Sequence, residues 1–151
     1  MADAVTRELA EGFYKALADL NFEALETYLD DNVSWTMRGP VDVLPYCGCH
    51  TGKATVLRLL GRDIPALFDK RRLLPHSMLV DGDYVAVFGV LTANRAGSRR
   101  KVTCRIAQFI RFAGGKVVAY TSILDSFDAA EQMLGRPLKV ARAGNGHALA
   151  V

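Results

Sequence analysis

Asp81-Gly82-Asp83 separates two apolar stretches, Leu73–Val80 before it and Tyr84–Ala93 after it. A short acidic turn centred on glycine between such stretches is a hairpin signal, because glycine accepts the positive φ that tight turns demand. The same grammar continues downstream. Ala96-Gly97-Ser98 turns into a long strand from about Arg100 to Phe112, and Ala113-Gly114-Gly115 turns into another, Lys116–Leu124. Strands joined in series by short turns predict an antiparallel sheet.

Upstream of the hairpin the apolar period lengthens from two to that of a helix. Val5, Leu9, Phe13 and Leu17 recur on one face, with Arg7, Glu8, Glu11 and Lys15 elsewhere. Asn21 can cap a second helix carrying Phe22, Leu25, Tyr28 and Leu29, which Asp30-Asp31-Asn32 ends. Val33, Trp35 and Met37 then alternate with Ser34 and Thr36 as a strand, closed by Gly39-Pro40. A loop from Leu44 to Gly52 leads to a third helix with Val56, Leu59 and Leu60. Gly61 and Pro65 should interrupt it, with Asp63 capping a short continuation through Leu67 and Phe68. Asp125-Ser126 marks the cap of a last helix, Asp128–Leu134. The resulting order is α+β, with helices packed in the concave face of a curved, mostly antiparallel sheet around a cavity. The expected domain is 1–136, with a flexible tail over 137–151.

The 151 residues suit one domain, and a chain half apolar and 23% charged can bury a core. The net charge of +3 is scattered. Its longest basic run, Arg99-Arg100-Lys101, adjoins Gly97-Ser98 and reads as a hairpin tip, so no nucleic-acid partner is expected. Three cysteines, Cys47, Cys49 and Cys104, make a poor disulfide framework. With no leader pattern and no membrane-length apolar run, no membrane partner is expected and a reduced, cytoplasmic setting is. Cys47-x-Cys49-His50 offers thiolates and an imidazole, but three ligands so close in sequence strain to face one ion. Neither a metal nor a cofactor is expected.

Three segments resemble a known family. Leu44-Pro45-Tyr46-Cys47-Gly48-Cys49-His50-Thr51-Gly52-Lys53 is similar to the SnoaL-like loop that runs Leu-Pro-Tyr, a Gly two residues later, then an aromatic–x–Gly–basic step. Asp81–Val87 resembles the family's Gly-Asp hairpin. Gly114-Gly115-Lys116-Val117-Val118, with Asp125 ten residues after Gly115, resembles its last strand and terminal cap. Together these cover roughly residues 5 to 135. The resemblance, to SnoaL-like and ketosteroid isomerase-related proteins of the nuclear transport factor 2-like superfamily, implies a cone-shaped, cystatin-like roll. It also implies a pocket for a small apolar ligand, and a homodimer formed through the open face of the sheet, where alternation puts Phe109 opposite Gln108.

The family's chemistry maps unevenly onto this chain. The carboxylate base of ketosteroid isomerase falls on Met37, or on Thr36 with a one-residue slip, and neither takes a proton. Its helix tyrosine falls on Phe13, beside Tyr14, and its protonated aspartate falls on Gln108, whose amide still donates. The last-strand carboxylate of polyketide cyclases and epoxide hydrolases falls on Ser122, and Tyr84–Arg95 holds no Arg–x–Asp group. Asp125 is either a helix cap or a surviving acid. His76 is either a general base in the pocket or a residue of the solvated face. Trp35, Met37, Tyr46 and Phe112 lie on elements that the family points inward. The candidate ligand-contacting residues are therefore Phe13, Tyr14, Trp35, Met37 and Tyr46, together with His76, Gln108, Ser122 and Asp125, and none has an assigned catalytic role. The expected function is a binder or enzyme for an apolar molecule bearing a carbonyl or hydroxyl. The alternative is a non-catalytic dimerisation module whose cone its own side chains fill.

Overall fold

The computed structural model describes residues 4–139. Of the tail expected over 137–151, residues 140–151 lie outside the described part. Helix α1 (Arg7–Asp19) starts at Thr6, whose hydroxyl accepts the Leu9 N–H at 3.1 Å, and it ends where Leu20 turns left-handed at φ 52°. Asn21 caps α2 (Phe22–Tyr28) by accepting the Ala24 N–H at 3.1 Å. After the sheet, Asp125 caps α4 (Ser126–Leu134), and Gly135 closes it at φ 71°.

The sheet has six strands: β1 (Leu29–Arg38), β2 (Gly48–Thr51), β3 (Phe68–Asp81), β4 (Tyr84–Arg95), β5 (Lys101–Ala113) and β6 (Lys116–Leu124). Their spatial order is β2-β1-β6-β5-β4-β3, and every pair is antiparallel except β1 with β6. α1 rests on β3, α4 on β5, and helix α3 (Lys53–Arg58) on β1, so the helices share the inner face. Along β5 the alternation is strict. Val102, Cys104, Ile106, Gln108, Ile110 and Phe112 are buried, while their odd-numbered neighbours face outward. The result is the α+β cone expected from the sequence.

Three segments differ from expectation. Gly48–Thr51, expected as loop, is a strand because it pairs with β1, Trp35 opposite His50. β1 begins at Leu29 and runs through Asp30-Asp31-Asn32, with an irregularity in its pairing to β6 between Leu29 and Ser34. Helix α3 continues as a π-helical turn, Leu59–Asp63, in which the Ile64 N–H reaches the Leu59 carbonyl at 2.9 Å. The expected helical continuation through Leu67 and Phe68 does not form. Phe68 pairs with Arg95 instead, and Ala96 donates to the Leu67 carbonyl at 2.8 Å, so long-range pairing overrides local capping.

β3 is an edge strand, which tolerates Pro75. It also carries two bulges. Asp69 pairs with Asn94 and Arg72 with Thr92, so Lys70 and Arg71 together oppose Ala93 alone. Lys70 takes up the extra residue at φ 49°. Simple alternation from the buried Phe68 would turn Lys70 and Arg72 inward. The bulge instead turns Arg71 and Leu73 in and leaves Arg72 outside. The second bulge lies between Pro75 and Ser77, at His76, opposite Gly89 and Phe88. A Cβ at Gly89 would collide with the Leu74 carbonyl, so only glycine lets the strands close there.

Candidate ligand-binding site

Register across the sheet builds the cone wall in rows. Met37, Ser122, Gln108 and Val87 form one row, and Trp35, Tyr120, Ile110 and Val85 the next. In the second row the Trp35 and Tyr120 rings stack with centroids 3.6 Å apart and planes 11° apart. Tyr120 thereby reaches Gln108, whose amide Nε2 donates to its hydroxyl. That bond leaves the Gln108 carbonyl oxygen without a partner, and the Trp35 indole N–H has none either. Both residues are almost fully buried. Each unpaired polar atom costs about 1–3 kcal/mol in the empty protein, a penalty that a polar ligand would relieve.

Two adjoining compartments occupy the cone. One holds about 430 Å³ of atom-free space against Trp35, Gln108, Tyr120, Ser122 and Leu60. The other holds about 480 Å³ against Phe68, Val102, Cys104, Ala129 and Met133 and is almost wholly apolar. Met37, Tyr46, Arg71, Leu91 and Leu124 line both and form the waist between them. Both compartments are narrow.

The electrostatics are one-sided. Neither compartment is lined by a carboxylate or a histidine among the described residues. Arg71 is the single cation, and its Nη2 donates to the Leu17 carbonyl at 3.2 Å. Burial draws its pKa below the usual value, while the phenols of Tyr120, Tyr46 and Tyr14 oppose that pull. Burial pushes the Tyr120 phenol up to about 12, against the counter-pull of Arg71, Ser122 and Gln108. Tyr14 and Tyr46 are raised by burial too, and the Cys104 thiol rises to about 11 for the same reason. At neutral pH the site thus offers hydrogen-bond donors and a positive charge, with no base and no thiolate.

The SnoaL-like domain model matches residues 10–120, nearly the whole folded part of the chain. The chain belongs to the SnoaL-like family. A solved structure of a candidate isomerase from Rhodopseudomonas palustris is 33% identical to this SnoaL-like protein, with a TM-score of 0.77 over 87% of this chain and 100% of that one. At lower identity the likeness is one of fold. A proposed polyketide cyclase from Streptomyces antibioticus, IdmH, is 16% identical at TM-score 0.69, over 85% of this chain and 96% of its own. An epoxide hydrolase of the LEH-like type from M. tuberculosis is 16% identical at TM-score 0.67, over 85% and 88%. No curated protein matches this sequence.

Of the residues singled out from sequence, Trp35, Met37, Tyr46, Gln108 and Ser122 line the cone together. Tyr14 is buried nearby with its hydroxyl unpartnered, whereas Phe13 packs edge-on against Phe112 and Tyr28 and lines neither compartment. His76 lies outside the cone: it is exposed at its bulge, with its ring 6.4 Å from that of Phe88. Asp125 is also outside, accepting the Asp128 N–H at 3.3 Å as a helix cap. Cys47 is buried and Cys49 exposed, while the His50 Nε2 is engaged 2.8 Å from the Tyr46 carbonyl. Among the described residues no three histidine, cysteine or acidic side chains gather as metal ligands, and no helix is long and apolar enough to cross a membrane.

Sequence reading missed Arg71 and Tyr120. Tyr120 was visible in principle, since it alternates with Ser122 on β6. Arg71 was not, because Lys70-Arg71-Arg72 reads as a solvated basic turn and only the bulge at Lys70 directs the middle residue inward.

Proposed function

We propose that this SnoaL-like protein binds a small, largely apolar molecule bearing a carbonyl or hydroxyl, which Gln108, Tyr120 and Ser122 orient within the cone. One observation carries the reading: the unpaired Gln108 carbonyl and Trp35 indole N–H both belong to residues lining an open compartment. Natural cores pair such atoms, so two together beside a cavity support a ligand-binding role. Among the described residues no carboxylate or histidine lines the compartments, which favours binding and polarisation over proton transfer. The narrow compartments favour ligands of one or two rings. Free thiols at Cys47, Cys49 and Cys104 accord with a reducing, cytoplasmic setting.

A thermal-shift screen against small cyclic ketones, phenols, terpenoids and aromatic polyketides tests this. A ligand at a hundred times its dissociation constant adds about 2.7 kcal/mol of stability. For a chain of this size that is a rise of roughly 5–10 °C. A flat response across the panel would overturn the binding role.

A second reading concerns assembly and is compatible with the first. The outer face of the sheet carries Phe88, Ala107 and Ile123 in one row and Leu79, Ala86 and Phe109 in the next. Phe88 is 47% exposed and Phe109 50%. An apolar band of this kind supports pairing with a second copy of the chain. Sedimentation of the wild type as a dimer and of Phe109→Glu as a folded monomer is the expected result. A monomeric wild type at micromolar concentration would remove the assembly reading.

A further inference from the structure

We propose that the ligand is an anion, a small alicyclic or aromatic acid whose carboxylate or ionised enol pairs with Arg71 at the waist of the cone. The inference deepens the small-molecule reading and rests on it. Arg71 carries five N–H donors in a rigid fork, and one accepted bond is seen, to the Leu17 carbonyl. None of the carboxylates of the described residues pairs with it. Its other close companions are the phenols of Tyr14, Tyr46 and Tyr120, all held neutral by burial. Arg71 is half-buried, and a guanidinium held there without a carboxylate partner keeps a desolvation cost that an anion brought by the ligand lowers.

The backbone supplies an independent argument. Arg71 faces the cone because Lys70 adopts a left-handed φ of 49° in a bulge, a conformation unfavourable for a residue with a Cβ. Bulges of this kind often re-aim a side chain beside a binding site. The waist also meets both compartments, so an acid held there can lay its ring among Phe68, Val102 and Met133. Its second oxygen then lies on the side of the Tyr120 hydroxyl and the Trp35 N–H, which can donate.

The test uses two matched probe pairs, cyclohexanecarboxylate with cyclohexanecarboxamide and phenylacetate with phenylacetamide. Binding is measured at pH 7 by calorimetry and by the fluorescence of Trp35, the chain's one tryptophan. The wild type should bind each acid about 10- to 100-fold tighter than its amide, the range of a charge-assisted buried pair. Arg71→Met should abolish that preference, weakening the acids far more than the amides. Arg71→Lys should retain part of it, because ammonium keeps the charge and loses the fork. Equal binding of acid and amide by the wild type, or a preference that survives in Arg71→Met, overturns the inference while the pocket stands. If all four probes and the neutral screening panel leave the wild type untouched, the pocket reading fails as well. Should Arg71→Met not fold, Arg71→Lys decides: equal loss for acid and amide would make Arg71 a structural residue.

Discussion

Replacing Gln108 by leucine separates the orienting role of this side chain from its role in the core. The substitution keeps the volume roughly constant and removes two things. One is the bond from Nε2 to the Tyr120 hydroxyl, worth about 1 kcal/mol net. The other is the unpaired carbonyl oxygen, whose burial costs about 1–3 kcal/mol. Tyr120 loses that partner, and the cost of its orphaned hydroxyl offsets the relief at the carbonyl. The opposing terms leave the empty protein within about 1 kcal/mol of wild type, a change in Tm of no more than about 4 °C. The bound state differs. A ketone such as acetylcyclohexane, which accepts and so uses the second N–H of the Gln108 amide, loses that partner and about 1 kcal/mol, roughly five- to tenfold in affinity, while methylcyclohexane loses nothing. Quenching of Trp35 reports both, because the indole stacks on Tyr120 in the same compartment. Equal weakening of ketone and hydrocarbon would refute the orienting role, as would an unchanged ketone affinity.

Two further outcomes follow from the same structure. Lys70→Gly removes the cost of a left-handed lysine and should raise stability by up to about 1 kcal/mol, read by urea unfolding, with probe affinities unchanged. A loss of stability would mean that the Lys70 side chain, not its backbone, maintains the bulge. Alkaline titration should be destabilising. Burial raises Cys104 from 9.0 to about 11 and Tyr120 from 10.0 to about 12, so their contribution is complete below pH 9. It is lost as pH rises through 11 and 12, at about 2–3 kcal/mol per two-unit shift. A flat stability profile from pH 8 to 11.5 would show that Cys104 is not buried as a neutral thiol.

The legible parts of this fold were those written in local chemistry. Thr6 was not singled out, but the Asn21 and Asp125 caps and the glycine turns at Gly82 and Gly114-Gly115 carry their instruction within a few residues, and β6 was placed from Lys116 to Leu124 as found. The segments misread were decided by partners far away in the chain. Phe68 is a strand residue because Arg95 lies opposite it, and Gly48–Thr51 because β1 does. The same division holds for the site. The family resemblance placed Trp35, Met37, Gln108 and Ser122 on the inner wall, and the regular strands β1, β5 and β6, which conserve parity, keep them there. β3 breaks parity twice: Arg71 turns in unannounced, and His76 takes the solvated face, the second of the two readings open to it.

The proposed site would offer a cation and neutral donors to a negative oxygen, while among the described residues no carboxylate or histidine lines it to remove a proton. Met37 lets this asymmetry be tested directly. It lines both compartments beside Arg71 and registers with Ser122 and Gln108, the row where the isomerase resemblance places a base. Met37→Asp should therefore supply the missing half, with Gln108 and Tyr120 already placed to receive an enolate. Deuterium exchange at the α-position of acetylcyclohexane, followed by NMR at pH 7, should be negligible with wild type. The variant should accelerate it about 10²-fold, the low end of general-base catalysis, since its geometry is not tuned. Arg71 next to the new carboxylate would hold it ionised and ready to accept a proton. If Met37→Asp binds the ketone without exchange, the Gln108–Tyr120 pair is not positioned to stabilise an enolate. Exchange by the wild type at a comparable rate would mean that a base reaches the ligand from outside the two compartments.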